Sequence, residues 1–230
     1  MRAVELATRE GLRPFAEVGG AGALDPLCGG RGAWEVELGF GKGRYLLSRA
    51  ATDPDRRFLG VEIAREYFRL AAGRLARRGF GNLALLHGEA LYLLSAGLPR
   101  RFAAVVHVYF PDPWPKSRHL KRRLFSPASV DLVLGLLAPG GALCFATDFL
   151  EYGEEVAALL ADHPALETRR LDGGWPEGPR TNYEAKYVHE GRSILRLEAR
   201  LTGEPGLHPA GRSEVLVAPT APVAPSAPGV

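Results

Sequence analysis

The chain has 230 residues, 46% of them hydrophobic and 24% charged, with a formal net charge of +3, which suits one sizeable globular domain. Its two cysteines, Cys28 and Cys144, match no metal or redox spacing. No apolar run reaches membrane-spanning length and no leader-like apolar stretch opens the chain, so a reduced, soluble, cytoplasmic protein without a metal site is expected. Residues 1–32 are rich in Gly and Ala and read as a loosely structured lead-in, with at most a short element over 12–18. From residue 33 strand-like and helix-like patterns alternate. A strand over 33–38 leads through a glycine turn to a helix over 43–51. A strand over 57–62 precedes a helix over 64–78, with Phe68, Ala71, Ala72 and Leu75 on one face and its arginines on a solvated one.

Strands over 83–87 and 103–110 follow, the latter nearly continuous in apolar residues, as a strand buried on both faces should be. Ser126 followed by Pro127 predicts a helix start, and that helix should run to 137 and stop at Ala138-Pro139-Gly140-Gly141. A strand over 142–147, a helix over 152–161, and closing strands over 167–171 and 193–201 around a long loop complete the pattern. Such alternation predicts an α/β fold with a mostly parallel sheet flanked by helices. The expected organisation is a lead-in over 1–32, a catalytic domain over 33–202, and a disordered Pro/Ala-rich tail over 203–230, where prolines recur at every third residue from Pro219 to Pro228.

The turn Glu37-Leu38-Gly39-Phe40-Gly41-Lys42-Gly43 sits between the first strand and first helix of this alternation, where open α/β sheets bind nucleotide-like ligands. Gly39 and Gly41 allow a sharp turn and close backbone approach. The spacing is G-x-G-x-G with an acid two residues ahead, not a dinucleotide fingerprint, and Glu37 would repel a pyrophosphate. S-adenosylmethionine carries no phosphate, and its ammonium and sulfonium suit a carboxylate. Glu62, nineteen positions after Gly43 at the end of the second strand, is placed to hold ribose hydroxyls. Glu89, just past the third strand, is placed near an adenine amino group.

The segment Phe110-Pro111-Asp112-Pro113-Trp114-Pro115-Lys116-Ser117-Arg118-His119-Leu120-Lys121-Arg122-Arg123 ends the fourth strand at a stiff turn. A carboxylate and an indole there suit a nucleobase, and the cations beside them suit its phosphates. Taken alone, the segment also fits a surface turn before a solvated basic stretch.

With these motifs in order, the chain resembles the bacterial tRNA (guanine-N7)-methyltransferases, which methylate the guanine at position 46 in the variable loop. The resemblance spans roughly 34–201 and rests on the glycine turn, Gly60-Val61-Glu62, the block from Phe110 to Arg123, Ala146-Thr147-Asp148 and Thr181-Asn182-Tyr183-Glu184. It implies a Rossmann-like class I fold dependent on S-adenosylmethionine, with seven strands, the last antiparallel. It implies cofactor contacts from Glu37, Gly39, Gly41, Glu62, Glu89 and Asp112, with Asp112 also catalytic. Lys116, Asp148, Thr181, Asn182, Tyr183 and Glu184 are then substrate positions, and tRNA is the partner. We assign Arg118, Lys121, Arg122 and Arg123 to the tRNA backbone.

Guanine N7 presents a lone pair, so no proton needs removing before methyl transfer, and in-line positioning is the main demand. Asp112, with Asp148 as a second candidate, is expected to accept hydrogen bonds from the guanine edge, with Trp114 or Tyr183 stacking on the purine. Two other readings remain at this stage: methylation of an exocyclic amine, which an Asp-Pro-Trp turn also suits, and a non-catalytic RNA-binding protein on the same fold. Monomer and homodimer are equally compatible.

Overall fold

The computed structural model describes residues 4–14 and 32–203. In chain order the strands are β1 (Glu5–Thr8), β2 (Gly11–Pro14), β3 (Trp34–Leu38), β4 (Arg57–Glu62), β5 (Leu83–His87), β6 (Ala103–Tyr109), β7 (Leu137–Thr147), β8 (Leu166–Arg170) and β9 (Leu195–Leu201). The helices are α1 (Arg44–Thr52), α2 (Arg65–Arg78), α3 (Ala90–Ala96), α4 (Val130–Leu134), α5 (Leu150–Ala161) and α6 (Asn182–His189), with a 3-10 helix over Ser117–Arg122.

One nine-stranded sheet has the order β2-β1-β5-β4-β3-β6-β7-β9-β8. The β3–β4, β4–β5, β3–β6 and β6–β7 pairs are parallel, whereas β9 runs antiparallel to both neighbours. The expected seven-stranded sheet is therefore present, with its last strand reversed. Its edge is extended by β1 and β2, an antiparallel hairpin whose β1 pairs with β5. That hairpin replaces the loosely structured lead-in expected for 4–14, because Leu6 and Ala7 are buried against the sheet. The rest of the lead-in over 15–31 and the tail from 204 onward lie outside the described residues, as does Cys28.

Helices cover both faces. Phe58, Leu83 and Leu85 pack against Leu46 and Leu47 of α1 and Phe68, Ala71 and Leu75 of α2. Val36, Val61, Val106 and Phe145 belong to the opposite core, together with Leu93 of α3, Val133 of α4 and Tyr152, Val156 and Leu160 of α5. The Val, Leu and Phe side chains buried to this degree each contribute about 1.5–3 kcal/mol of transfer free energy.

Three expectations need correcting. The helix expected over 126–137 shrinks to α4, with Ser126 and Pro127 in the turn before it. There the Ser126 and Ser129 hydroxyls bond each other, and the Val130 N–H donates to the Ser126 carbonyl. The final strand of the parallel set starts earlier than 142, at Leu137. The long loop between the closing strands contains α6, whose N-cap is Thr181. No helix among the described residues is long and apolar enough to cross a membrane.

Candidate active site

Strand order reverses at β3, which has β4 on one side and β6 on the other. The loops leaving β3 and β6 therefore diverge, and open a crevice at the carboxyl edge of the sheet. A cavity of about 1090 Å³ occupies this place, and brings the Glu37–Gly43 turn, Glu62, Glu89, Asp112 and the Thr181–Tyr183 segment together.

The glycine turn takes its shape from backbone geometry and one carboxylate. Gly39 and Gly41 have φ of 78° and 54°, where a Cβ would be strained. The Gly41 N–H donates to Glu62 Oε2 at 2.7 Å, and the Ala64 N–H donates to Glu62 Oε1 at 2.7 Å. Glu62 thus braces the turn while each oxygen keeps lone-pair capacity toward the cavity. Beneath the turn, a Cβ on Gly60 would lie 2.5 Å from Leu46 and 2.6 Å from Phe40, so any larger residue would have to displace the side chains that pack the turn on β4.

Glu37 is 2% exposed, and its Oε2 has no hydrogen-bond partner. Burial pushes its carboxyl up to about 8; the Glu62 charge adds to the rise, while the Leu46 backbone and the Arg180 charge oppose it. A buried, unpartnered carboxyl oxygen on the wall of a cavity fits a cationic ligand group, such as an ammonium or sulfonium. A phosphate does not fit there. The residues present therefore suit S-adenosylmethionine.

Glu89 also lines the cavity, but its oxygens cap α3, accepting from the Leu91 N–H at 3.0 Å and the Tyr92 N–H at 2.7 Å. Its longer side chain folds back onto its own helix, a capping role that spacing alone did not reveal.

Asp112 stands exposed in the loop after β6. Phe110 and Trp114, two residues to either side, have φ of 52° and 41°, and Arg101 is the other non-glycine residue at positive φ among the described residues. Each such position costs on the order of 1–3 kcal/mol, so the fold invests strain in presenting Asp112. Trp114 lies half-buried under Arg122, whose guanidinium carbon is 5.1 Å from the indole centroid, and His119 meets the ring edge-on. Tyr183 is 50% exposed, with its ring centroid 6.4 Å from that of Phe110. Burial and a hydrogen bond with Tyr67 raise its hydroxyl pKa, and the Asp112 charge adds to the rise. Tyr67, Tyr45 and Tyr109 line the cavity too, and sequence reasoning passed over all three.

Two expected contacts are corrected. Arg123, assigned to the tRNA backbone, is buried: its Nε donates to the Pro113 carbonyl at 2.7 Å, it pairs with Glu155, and it lies 4.6 Å from the Tyr152 ring centroid. It clamps the Asp112 loop, and little of its side chain is left for a phosphate. Glu184, assigned to substrate, is fully buried, with Oε1 accepting from Arg196 Nε at 2.7 Å and Oε2 from the Arg180 N–H at 2.8 Å. Its backbone N–H bonds the Thr181 hydroxyl at 3.0 Å, so Thr181-Asn182-Tyr183-Glu184 is a helix cap that orients Asn182 and Tyr183 outward.

Of the remaining positions only Arg122 lines the cavity; Lys116 and Arg118 are exposed, and Lys121 falls within the 3-10 helix. Asp148, at the end of β7, lies 3.5 Å from Arg192 and outside the cavity lining. Cys144 is a buried free thiol in the sheet.

Comparison with known proteins agrees with this architecture. A family model described as "Putative methyltransferase" matches residues 32–197. The tRNA (guanine-N(7)-)-methyltransferase of Nitrosococcus oceani is 38% identical over 162 residues, covering 70% of this chain and 69% of that protein. The same-named protein of Alkalilimnicola ehrlichii is 36% identical over 186 residues, covering 80% and 78%. Among solved structures, the 16S rRNA methyltransferase KamB superposes with a TM-score of 0.59 at 15% identity, covering 86% of this chain and all of that one (100%). An S-adenosylmethionine-dependent O-methyltransferase from Thermotoga maritima gives a TM-score of 0.51 at 14% identity, covering 76% and 61%. Those structural likenesses establish the class I S-adenosylmethionine-dependent methyltransferase fold. Sequence identity over most of the chain establishes more: the protein belongs to the tRNA (guanine-N(7)-)-methyltransferase family.

Proposed function

We propose that this protein transfers a methyl group from S-adenosylmethionine to N7 of the guanine at position 46, in the variable loop of tRNA. The observation that carries the reading is the single cavity in which the buried Glu37 carboxyl and the exposed Asp112 carboxylate face one space. One acid suits a cationic cofactor, and the other the hydrogen-bond-donating edge of guanine.

When bound, S-adenosylmethionine supplies the methyl group on a sulfonium. The protein's part is placement. Glu37 holds the cationic end, the Gly39–Gly41 backbone lies alongside, and Glu62 offers its remaining lone pairs to ribose hydroxyls. Asp112 accepts from guanine N1–H and the 2-amino group, fixing N7 in line and stabilising the positive charge that develops on the base. Alignment of this kind supplies on the order of 7–11 kcal/mol. Tyr183 stacks on the purine: it is the more exposed of the two candidate aromatics, and Trp114 is occupied by Arg122 and His119. Lys116, Arg118, Lys121 and Arg122 hold the tRNA backbone without reading sequence.

Residues 33–202 form the catalytic domain in this reading. The enzyme works in the cytoplasm on tRNA, as a monomer or homodimer, and the chemistry calls on no metal. An exocyclic amine substrate is less well supported, because the basic run from Lys116 to Arg123 follows Asp112 closely and the relatives are guanine-N(7) enzymes. The test is incubation with labelled S-adenosylmethionine and unmodified tRNA transcript, followed by nucleoside digestion. Label in 7-methylguanosine supports the reading. Label in a base methylated on its exocyclic amine contradicts it.

A further inference from the structure

We propose that Arg180 is a positioning residue, which locks the Thr181–Tyr183 segment to the floor of the cofactor cavity so that seating the cofactor and seating the guanine are coupled through one guanidinium. The idea rests on the functional reading above and assigns a role to a residue outside its motifs.

Arg180 is held from both ends. Its backbone N–H donates to Glu184 Oε2 at 2.8 Å, and Glu184 is itself buried against Arg196. Its side chain leaves the substrate segment for the sheet, where Nε donates to Glu177 at 2.6 Å and Nη1 donates to the Tyr109 hydroxyl. The guanidinium carbon lies 3.9 Å from the Trp175 ring centroid, 5.1 Å from that of Tyr45 and 5.7 Å from that of Tyr109. Tyr45 and Tyr109 line the cofactor cavity. A planar fork in an aromatic cage can satisfy all of these at once; a point-charge ammonium cannot.

The polar chain continues in one direction. A guanidinium only donates, so the Tyr109 hydroxyl accepts from Arg180 and gives its own proton to His107 Nδ1, 2.8 Å away. His107 then keeps its proton on Nε2 and donates it to Glu35 at 3.1 Å. Arg49 and Arg56 complete Glu35 at 2.9 and 3.0 Å. The substrate segment is thereby wired to the base of β3, the strand that carries Glu37 near its far end. The Arg180 charge also bears on Glu37 directly, opposing Glu62, while Lys42, Arg44, Glu89, Asp112, Arg122 and Lys186 stand elsewhere around the same cavity.

Two variants of the full chain test this, Arg180→Met and Arg180→Lys, with two readouts: steady-state methylation of tRNA, and S-adenosylmethionine affinity against pH without tRNA. Arg180→Met is expected to lower kcat about 100-fold, the scale of a small misplacement, with KM for tRNA changed by less than about 3-fold. Its pH profile of cofactor affinity should move to higher pH, because Glu37 loses a neighbouring cation. Arg180→Lys should keep the parent pH profile yet lose kcat to a similar degree. Parent-like kcat in Arg180→Met, or an unmoved pH profile, overturns the proposal, since a merely structural arginine would leave that profile in place. Should Arg180→Met fail to fold, Tyr109→Phe removes only the hydroxyl arm, and a kcat equal to that of the parent then overturns it. Failure of the parent enzyme to methylate guanine N7 would instead end the functional reading, leaving the cofactor-only pH readout to judge Arg180 by itself.

Discussion

The Glu62 carboxylate receives the Gly41 N–H at 2.7 Å, so the end of β4 holds the turn that leaves β3. Its other oxygen receives the Ala64 N–H at the start of α2. Replacing Glu62 by Ala removes both acceptors. Hydrogen bonds to charged groups are worth about 1.5–3 kcal/mol each, so a stability loss of about 2–4 kcal/mol is expected in denaturant titrations. Cofactor affinity should fall at least about 10-fold by calorimetry, with Glu62→Gln intermediate. Unchanged stability would mean the turn holds itself.

Glu37 predicts a pH effect whose sign follows from its raised pKa of about 8. Between about 4.5 and 8 the folded, ligand-free protein holds a proton that the unfolded chain has released. This group's contribution to stability is therefore full below about 4.5, and falls by up to about 1.4 kcal/mol per pH unit until about 8. A cationic cofactor favours the ionised carboxylate, so its binding should release close to one proton at pH 7, and its affinity should climb toward pH 8. Calorimetry in buffers of different ionisation enthalpy reads the proton directly. Glu37→Gln should abolish the release.

Arg123 and its neighbours separate two kinds of cation. Arg123→Ala strips the Pro113 carbonyl of its donor and leaves Glu155 unpaired, which should cost about 1–3 kcal/mol of stability and slow turnover through the Asp112 loop. The salt dependence of tRNA binding should not change. Arg118→Ala and Arg122→Ala, by contrast, should each lower the slope of log K against log salt by about 1 with little loss of stability. A reduced slope in Arg123→Ala would return that residue to the tRNA interface.

Much of this was legible in the sequence, for physical reasons that also mark where legibility ended. Continuous apolar runs such as Val105–Val106 and Leu83–Leu86 announced buried strands, and Glu37, Gly39, Gly41 and Glu62 announced a ligand turn. The Thr181-Asn182-Tyr183-Glu184 segment carried a capping-box spacing that went unread, because no long apolar face follows it in α6. The hairpin over Glu5–Pro14 is held by pairing with β5, a distant partner that local pattern does not reveal. Arg123 looked like the other cations of its segment, and its burial is set by Tyr152 and Glu155 roughly thirty residues away. The Glu35–His107 pair, both nearly inaccessible, was hidden inside strand patterns that its arginine partners make tolerable. Burial alone would raise the Glu35 carboxyl, but hydrogen bonds from His107 and Arg49 bring it down to about 2.

Asp112 is the residue whose loss should separate catalysis from binding. Asp112→Ala is expected to lower turnover by about 10²–10³, the scale of a lost charge-stabilising acceptor, while cofactor affinity stays within about 3-fold. Parallel turnover assays and calorimetry check this. Equal turnover in variant and parent would remove Asp112 from the chemistry.

The central claim is the atom and position methylated, and one measurement reaches both. Unmodified tRNA transcript is treated with the enzyme and S-adenosylmethionine, then subjected to borohydride reduction and aniline scission, which cleaves the chain at 7-methylguanosine. The account predicts a single new break at the variable-loop guanine, absent without cofactor and formed far more slowly by Asp112→Ala. Methyl incorporation without scission, or scission at another guanine, would contradict it.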